Sequence, residues 1–546
     1  MYALITSALR ARSRPADDRG IAMIFVIAAI TVLSVLLATV FTMAIQAQPG
    51  ARRDQDWNAA LAAAQAGADD YIARLNQNDT YWTTVDCTNQ ALKGPKAGTN
   101  SCGWTTSTSA GWQNVKPGHP ESGQFHYDVD ASAIYSQGVI RVTVTGKVRT
   151  VSRSIQVLVS RGGSTEFLYY TDFEDADPAN TEAYPSGPST DACGKSGPSL
   201  AQYYWQNTSR NCVEITFVTG DTLDGAVHFN DTPLMSGSPT FLKQYETSDP
   251  KCQTPTVANC SRGGASPSLN GGKPRYAPAL YLPDNSGQFS TYPGCTYTGS
   301  TRIKFNNDGT MTVWSRDSVG TTLGAGCGTA SAFSGGASQT VPVPNDKVIY
   351  VKNATSTAKC TTGRIGDGLP IANDVNTDNS TFYCGNGNVW VEGTLKGRVT
   401  LAAQNNIIVT DDLLLASTPK GSAATGSDML GLVASNSVVN YHPVNSSGTN
   451  LKAAEDRWIY GSIQTLQRSF WVQQYGEGAK LGTLHVRGSI AQRWRGIVGT
   501  GGSSGTGYLK DYGYDSRLTF TSPPYFPQWT NAVWGAKTTA ELSPQY

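Results

Sequence analysis

Charge is scarce in this chain. Asp, Glu, Lys and Arg make up 15% of its 546 residues, against about a quarter in ordinary soluble domains. The 42 basic residues nearly cancel the 41 acidic ones, leaving a net charge of +1, so global electrostatics select no polyanionic partner. Histidine is scarcer still. None of His119, His126, His228, His442 and His485 stands in an HExxH or similar ligand spacing, and no metal or cofactor is expected. His228, in DGAVHFND, has Asp224 and Asp231 nearby but no accompanying nucleophile motif. A histidine bonded within its own turn is the simpler expectation. No Cys-x-x-Cys pair occurs, which excludes zinc ribbons and thioredoxin-type redox sites. DVNTDNSTFYCG begins like a calcium loop at Asp374, Asn376 and Asp378, but Asn379 and Gly385 stand where an EF-hand needs Gly and Glu. GTGGSSGTG, from Gly499 to Gly507, lacks the lysine of a phosphate cradle and reads as a flexible loop. No set of catalytic residues assembles, so the chain is expected not to be an enzyme.

Glycine, by contrast, is abundant at 57 residues, and Ser, Thr and Asn crowd the spaces between short apolar runs. That composition suits a β-rich exported protein with many turns, in two or three domains at this length. The ten cysteines all lie between Cys87 and Cys384. An even count confined to one part of the chain reads as disulfides formed in an oxidising compartment. Sequential pairing is expected: Cys87–Cys102, Cys193–Cys212, Cys252–Cys260, Cys295–Cys327 and Cys360–Cys384.

One long uncharged segment stands apart. The run Ile21–Ile45 exceeds the ~20 residues that span a hydrocarbon core in helix and is too long for the ~7–15-residue apolar region of a cleaved secretion signal. Arg10, Arg12, Arg14 and Arg19 precede it against Asp17 and Asp18. The positive-inside tendency therefore places the N-terminus in the cytoplasm and the bulk outside. After Pro49-Gly50, read as a break, RRDQDWNAALAAAQAGADDYIARLNQ carries Trp57, Leu61, Ala64, Ala68, Tyr71, Ile72 and Leu75 at spacings of three and four, one apolar stripe on a helix. FHYDVDASAIY, GVIRVTVTGKVRT and SRSIQVLVSR follow. In the last, Ile155, Val157 and Val159 alternate with polar residues, as in a half-buried strand.

This order of basic leader, Gly, apolar helix, amphipathic helix and antiparallel strands resembles the type IV pilin family, specifically its minor, PilX-like members. Arg19-Gly20 looks like a prepilin peptidase site, which implies processing between Gly20 and Ile21. AALAAAQAGADDYIARL is similar to the alanine-rich stretch those proteins carry after the membrane segment. One departure is Phe25, where major pilins have Glu at the fifth mature position. The resemblance implies a membrane-anchored chain, extracytoplasmic in bulk, with other pilin subunits as partners in a type IV pilus or related surface apparatus.

Beyond residue 164 the texture changes. STRIKFNNDGTMTVWS reads as a hairpin, Ile303 and Phe305 leading into Asn307-Asp308-Gly309 and Met311 and Val313 leading out. NVWVEGTLKGRVTLAAQNNIIVTDDLLL gives short apolar bursts punctuated by Gly, Asn and Asp, with no helix-period segment between them. Strands without crossover helices suggest stacked coils of a β-solenoid. A β-sandwich is the alternative, because no strict repeat length is visible. GAVHFNDTPLMSGSPTF, VWVEGTLKGRVTLAAQNNIIV, GSIAQRWRGIVGT and GYLKDYGYDSRLTFTSPPYFP resemble a region of large bacterial exported pilus-assembly-like proteins, which implies a β-solenoid appended to, or inserted in, a pilin module.

The expected fold is therefore mainly β with a long N-terminal α-helix. Its parts are a leader (1–20), a membrane helix (21–48), an amphipathic continuation (51–80), an antiparallel sheet (81–163), a Cys-containing β-rich region (164–380), a β-solenoid region (381–535) and a C-terminal tail (536–546). One cluster near the end has two readings. Arg487, Arg493, Arg495, Lys510 and Arg517 lie close in sequence to Trp494, Tyr508, Tyr512 and Tyr514. Interleaved cations and aromatics suit a nucleic-acid surface, through phosphate pairing and base stacking. They equally suit a packed solenoid flank, with Asp511 and Asp515 as partners. Three functions stay open: a structural or adhesive subunit contacting other pilins and a host or environmental surface, a DNA-binding minor pilin for natural transformation, and an anchored polysaccharide-acting β-helix enzyme. No small-molecule substrate is expected.

Overall fold

The computed structural model describes residues 21–180, 183, 202–209, 212–355, 357–375, 383–501 and 505–546. The fold is mainly β with an N-terminal helix. Helix α1 runs unbroken from Ile21 to Gln77, about 85 Å at 1.5 Å per residue, so the break expected at Pro49-Gly50 does not occur. Proline removes one i→i−4 hydrogen bond, and the long helix-forming runs on either side carry the backbone through that gap. Over Ala22–Met43 none of α1 is buried. The second half lays Ala60, Ala63, Ala64, Ala68, Tyr71 and Leu75 into a core with Phe125, Tyr127, Val142, Val144, Ile155 and Val157. The buried stripe is thus richer in alanine than the periodicity suggested. Trp57, expected on it, is 46% exposed, with the Arg153 guanidinium 4.6 Å over its ring.

The alanine face has a purpose in packing. Gly67 and Gly146 leave no room for side chains: a Cβ on Gly67 would sit 2.7 Å from Val144, and one on Gly146 2.0 Å from the Ala60 carbonyl oxygen. Helix and sheet therefore meet backbone to backbone. The sheet is antiparallel in the order Gln113–Asn114, Gln124–Asp130, Ile140–Val148, Val151–Arg161 and Trp534–Leu542. The fifth strand corrects the expected 536–546 tail, since Ala536 pairs with Val159 and Thr539 with Val157. WGAKTTAEL hides its strand character because it is an edge strand whose side chains, Trp534 apart, are exposed or half-exposed.

Between the fourth and fifth strands, the described residues build one large β body. Ten strands pair in parallel along one face, in the spatial order Gly294–Thr298, Lys347–Lys352, Arg398–Ala403, Met429–Ala434, Arg457–Thr465, Gly482–Trp494, Tyr169–Phe173, Val227–Phe229, Tyr245–Thr247 and Arg275–Tyr276. A second face stacks Thr301–Phe305, Val389–Leu395, Ile407–Leu415, Val438–Asn440 and Phe470–Val472, again in parallel. A third continues through Tyr508–Tyr514, Thr222–Asp224, Thr240–Phe241 and Ser268–Leu269. Asparagines line one corner: Asn436 donates to Asn405 (3.2 Å), and Asn406 to Asn388 (3.3 Å). Coil length varies. Equivalent second-face positions Val389, Ile407, Val438 and Phe470 are 407 − 389 = 18, 438 − 407 = 31 and 470 − 438 = 32 residues apart, so no fixed repeat marks the sequence.

The stack is not in chain order. The chain enters its middle at Tyr169, runs to one end at Tyr276, crosses to the other end at Gly294, and returns until Gly482–Trp494 pairs with Tyr169–Phe173. One hydrophobic core accordingly holds residues from Leu168 to Tyr512, which leaves no boundary at 380/381. The hairpin at Asn307-Asp308-Gly309 forms with Phe305 opposite Met311 and Gly309 at φ +94°. The pairs Cys87–Cys102, Cys252–Cys260, Cys295–Cys327 and Cys360–Cys384 are disulfides. Cys212 is also disulfide-bonded, and its expected partner Cys193 lies outside the described residues.

Two predictions follow from this packing. Gly146→Ala should destabilise the chain by about 1–3 kcal/mol, read by thermal unfolding of the full chain in detergent. An unchanged midpoint would mean that helix and sheet do not meet backbone to backbone. Replacing both Cys295 and Cys327, which are 32 residues apart, with serine should cost about 3–4 kcal/mol through the lost loop closure.

Candidate functional site

The most unusual surface is the first half of α1. Over Ala22–Met43, 22 residues of mean hydropathy 2.8, none of the helix is buried. Phe25, Phe41 and Met43 are each 70% exposed. Such a run spans about 33 Å, close to the ~30 Å hydrocarbon core of a bilayer. Its three threonine hydroxyls are satisfied inside the helix: Thr31 donates to the Ile27 and Ala28 carbonyls, Thr39 to that of Leu36 and Thr42 to that of Ala38. This is what a polar side chain requires where no water is present. Of the expected processing pair, Ile21 opens the helix and Gly20 lies outside the described residues.

The cation–aromatic cluster sits mid-stack, where the chain's first strand of the stack meets the returning one. Strand Gly482–Trp494 lies beside Tyr169–Phe173 with Trp494 in register with Phe173, and their rings stack at 4.4 Å. The flanking residues follow that register. Arg493 lies 3.3 Å from Asp172 and 3.8 Å from Asp284, and Arg495 lies 2.7 Å from Glu174. Arg468 and Asp177 extend the row at 3.0 Å. Arg493, Trp494, Arg495 and Tyr512 are all buried. Burial pushes the Glu174 carboxyl above its ordinary value, against the pull of Arg495. The Thr171 hydroxyl also donates to Glu174. Lys510 pairs with Asp221 at 2.9 Å, and burial lowers its pKa against that partner's attraction. Arg487 meets Asp511 at 2.7 Å. Arg517 meets Asp515 at 2.7 Å and also donates to the carbonyls of Thr425, Gly426 and Asp428. All five cations of the cluster thus face carboxylates of this chain, and Trp494 and Tyr512 are packed inside.

The histidines are similarly occupied. His228 is fully buried, between Glu246 and Asn230 at 2.9 Å each, and Arg275 closes on the far oxygen of Glu246 at 2.8 Å. His442 bonds the Gln473 carbonyl and Asn450, and His485 bonds Asp511. Asp374 accepts from the Tyr441 hydroxyl at 2.5 Å, while Asn376, Asp378 and Asn379 lie outside the described residues. Among the described residues, no group of three or more His, Cys, Asp or Glu is arranged to hold a metal ion. The Gly499–Gly507 loop is closed at its base by an antiparallel bridge between those two residues.

No protein-family model matches the chain, and no curated protein matches it. Among solved structures, the crystal structure of the competence-associated pilin ComZ from Thermus thermophilus aligns over 90% of this chain and 97% of its own, at 12% identity and a TM-score of 0.26. That score is too low to carry a fold argument, which rests on the strand pairings above.

The seam makes a sharp prediction. Arg495→Ala should leave Glu174 buried without its cation and destabilise the chain by about 3–5 kcal/mol, read by thermal unfolding. The double change Arg495→Met with Glu174→Leu should recover much of that loss. A single variant as stable as the parent would show that the pair is not buried at a packed seam.

Proposed function

We propose that the chain is a membrane-anchored, exported, minor pilin-like structural component of a type IV pilus or related surface apparatus. In this reading the apolar half of α1 sits in the bilayer and then beside other pilin subunits, and the stacked coils form a β-solenoid displayed outside. The observation that carries it is the division of labour within one helix: Ala22–Met43 is wholly exposed, while Ala60–Leu75 is the core of the antiparallel sheet. A single continuous helix thus joins a lipid-compatible surface to a folded head. The disulfides agree with an oxidising exterior, and the four leader arginines with a cytoplasmic N-terminus. Arg19-Gly20 immediately before the apolar run supports processing there.

Phe25 has a consequence for assembly. Lacking the carboxylate that major pilins carry at the corresponding position, the subunit docks through apolar contact of its exposed helix rather than through a charge pair. We further take the chain as non-enzymatic, because the buried His228 is bonded to Glu246 and Asn230 and the seam carboxylates Asp172 and Glu174 face Arg493 and Arg495. The DNA-binding alternative draws no support from the basic–aromatic cluster, whose cations already have partners.

The test is the N-terminus and location of the protein in its own cells. The chain should stay with membranes through alkaline carbonate extraction, and sheared surface filaments should contain it beginning at Ile21. Recovery of an intact Met1 that is unchanged when the prepilin peptidase is deleted would reduce the segment to a plain anchor. Release by carbonate would remove even that.

A further inference from the structure

Where the antiparallel sheet meets the stacked coils, the surface opens into a cleft of about 560 Å³. Neither the anchor nor the seam uses it. Both bodies build it: Asp79, Trp82, Tyr135 and Arg161 come from the sheet side, and Tyr292 and Tyr525 from the stack side. Four rings run on from one another. Trp82 meets Tyr135 edge-on at 5.6 Å, Tyr135 stacks on Tyr525 at 5.1 Å with 19° between planes, and Tyr525 meets Tyr292 at 4.6 Å. Tyr135 is nevertheless 50% exposed, so folding leaves part of the aromatic wall open to solvent.

The wall is held rigidly. The Tyr525 amide donates to the Tyr135 carbonyl at 2.7 Å, and Arg398 donates to the carbonyls of Ser136 and Ser522. Pro523, Pro524 and Pro527 stand close to Tyr525 in sequence. Tyr525 itself has φ +55°, a left-handed conformation that a bulky residue adopts only where its surroundings enforce it and that gathers at functional sites. Polar edges stand beside the rings. Asp79 and Arg161 pair at 2.6 Å, and Gln288 and Gln528 line the cleft. The indole N–H of Trp529, also in the lining, is buried with no hydrogen-bond partner.

We propose that this cleft binds a neutral pyranose oligosaccharide. A pyranose offers a C–H face that lies flat on an aromatic ring, and a rim of hydroxyls that each donate and accept. Rings with an exposed face supply the first contact; the side-chain amides of Gln288 and Gln528, which each donate and accept, supply partners for the second. The volume falls in the ordinary range for small-ligand sites, about 300–1,000 Å³. A nucleic acid is disfavoured, because Arg161, the one cation among the described lining residues, is already paired with Asp79. A proline-rich peptide would use the aromatics but leave the polar rim idle. The inference does not depend on filament assembly.

The experiment uses the full chain in a zwitterionic detergent without a sugar headgroup. Cello-, malto-, chito- and mannotetraose are titrated by calorimetry and tryptophan fluorescence, beside a proline decamer. At least one tetrasaccharide should bind with a dissociation constant of about 1 mM or tighter. Trp82→Ala and Tyr135→Ala should each weaken binding about tenfold with little change in thermal midpoint. Tyr276→Ala, outside the cleft, should leave binding unaltered. The proposal fails if none of the four sugars binds, if binding survives Trp82→Ala and Tyr135→Ala together, or if the proline decamer binds and its affinity is what those two changes remove.

Discussion

The structure depends on a zipper of three residues against three. Asp172 and Phe173 end the chain's first strand of the stack and Glu174 follows them; Arg493 and Trp494 end its longest strand and Arg495 follows. Charge meets charge on either side of a stacked ring pair. This contact joins residues 494 − 173 = 321 apart in sequence, and it is buried. A buried ion pair is weak evidence for stability as such, since desolvation offsets most of its Coulomb energy. Its force lies in selectivity: with both partners buried, a slip of one residue in strand register would leave cations and carboxylates unpaired, and side chains on the wrong face. The seam therefore fixes which strand closes on which in a stack otherwise built of interchangeable apolar coils.

That arrangement has a kinetic side. Coils from Gly294 onward can add to one another locally, but the coils from Tyr169 to Tyr276 have no neighbour on their inner side until Gly482–Trp494 exists. The antiparallel sheet likewise lacks its fifth strand until Trp534–Leu542 is made. Trp534 is tied to the end of α1 by reciprocal bonds with Asn76 and by its indole N–H to Asp79. Long-range pairings of this kind slow folding, because loop entropy is lost before contacts form. The local disulfides counter this in part, each closing a loop of 8 to 32 residues within one stretch of chain.

What the sequence made legible is what it encodes locally. The membrane-length run, the period of the alanine-rich helix, the alternation at Ile155, Val157 and Val159, and the Asn307-Asp308-Gly309 turn each depend on neighbours within a few residues, and each is seen in the fold. What depends on distant partners stayed ambiguous. RWR carries the residue types of a phosphate-binding surface, and only DFE, over 300 residues upstream, shows its charges to be internal. The edge strand at 534–542 shows no clean alternation, because a register shift between Ala536 and Thr538 interrupts its period and nearly all its side chains are exposed or half-exposed. The coils kept their count hidden because loops of different length separate them. A better signal was present in the asparagine pairs: Asn388 and Asn406, and Asn405 and Asn436, stack on each other at the same corner. A polar residue recurring immediately before an apolar triplet marks a coil corner even where coil length does not repeat.

The aromatic cleft follows from the same topology. An insertion between two adjacent strands leaves and re-enters its host at nearly the same place, so host and insert must pack against each other there. Arg161, the last residue of its strand, donates to the returning chain at Ala532 and Thr530 and pairs with Asp79 below α1. On the opposite wall, Arg398 grips the loop before Tyr525. Two bodies clamped at such points cannot slide, and large rings are the side chains that span the gap between them with few rotatable bonds. A ring left partly exposed forfeits some of the apolar area that favours its burial. Tyr135, whose neighbour Tyr525 takes up a strained backbone conformation to meet it, stays half in solvent. The ligand proposed for the cleft would lie on that open ring.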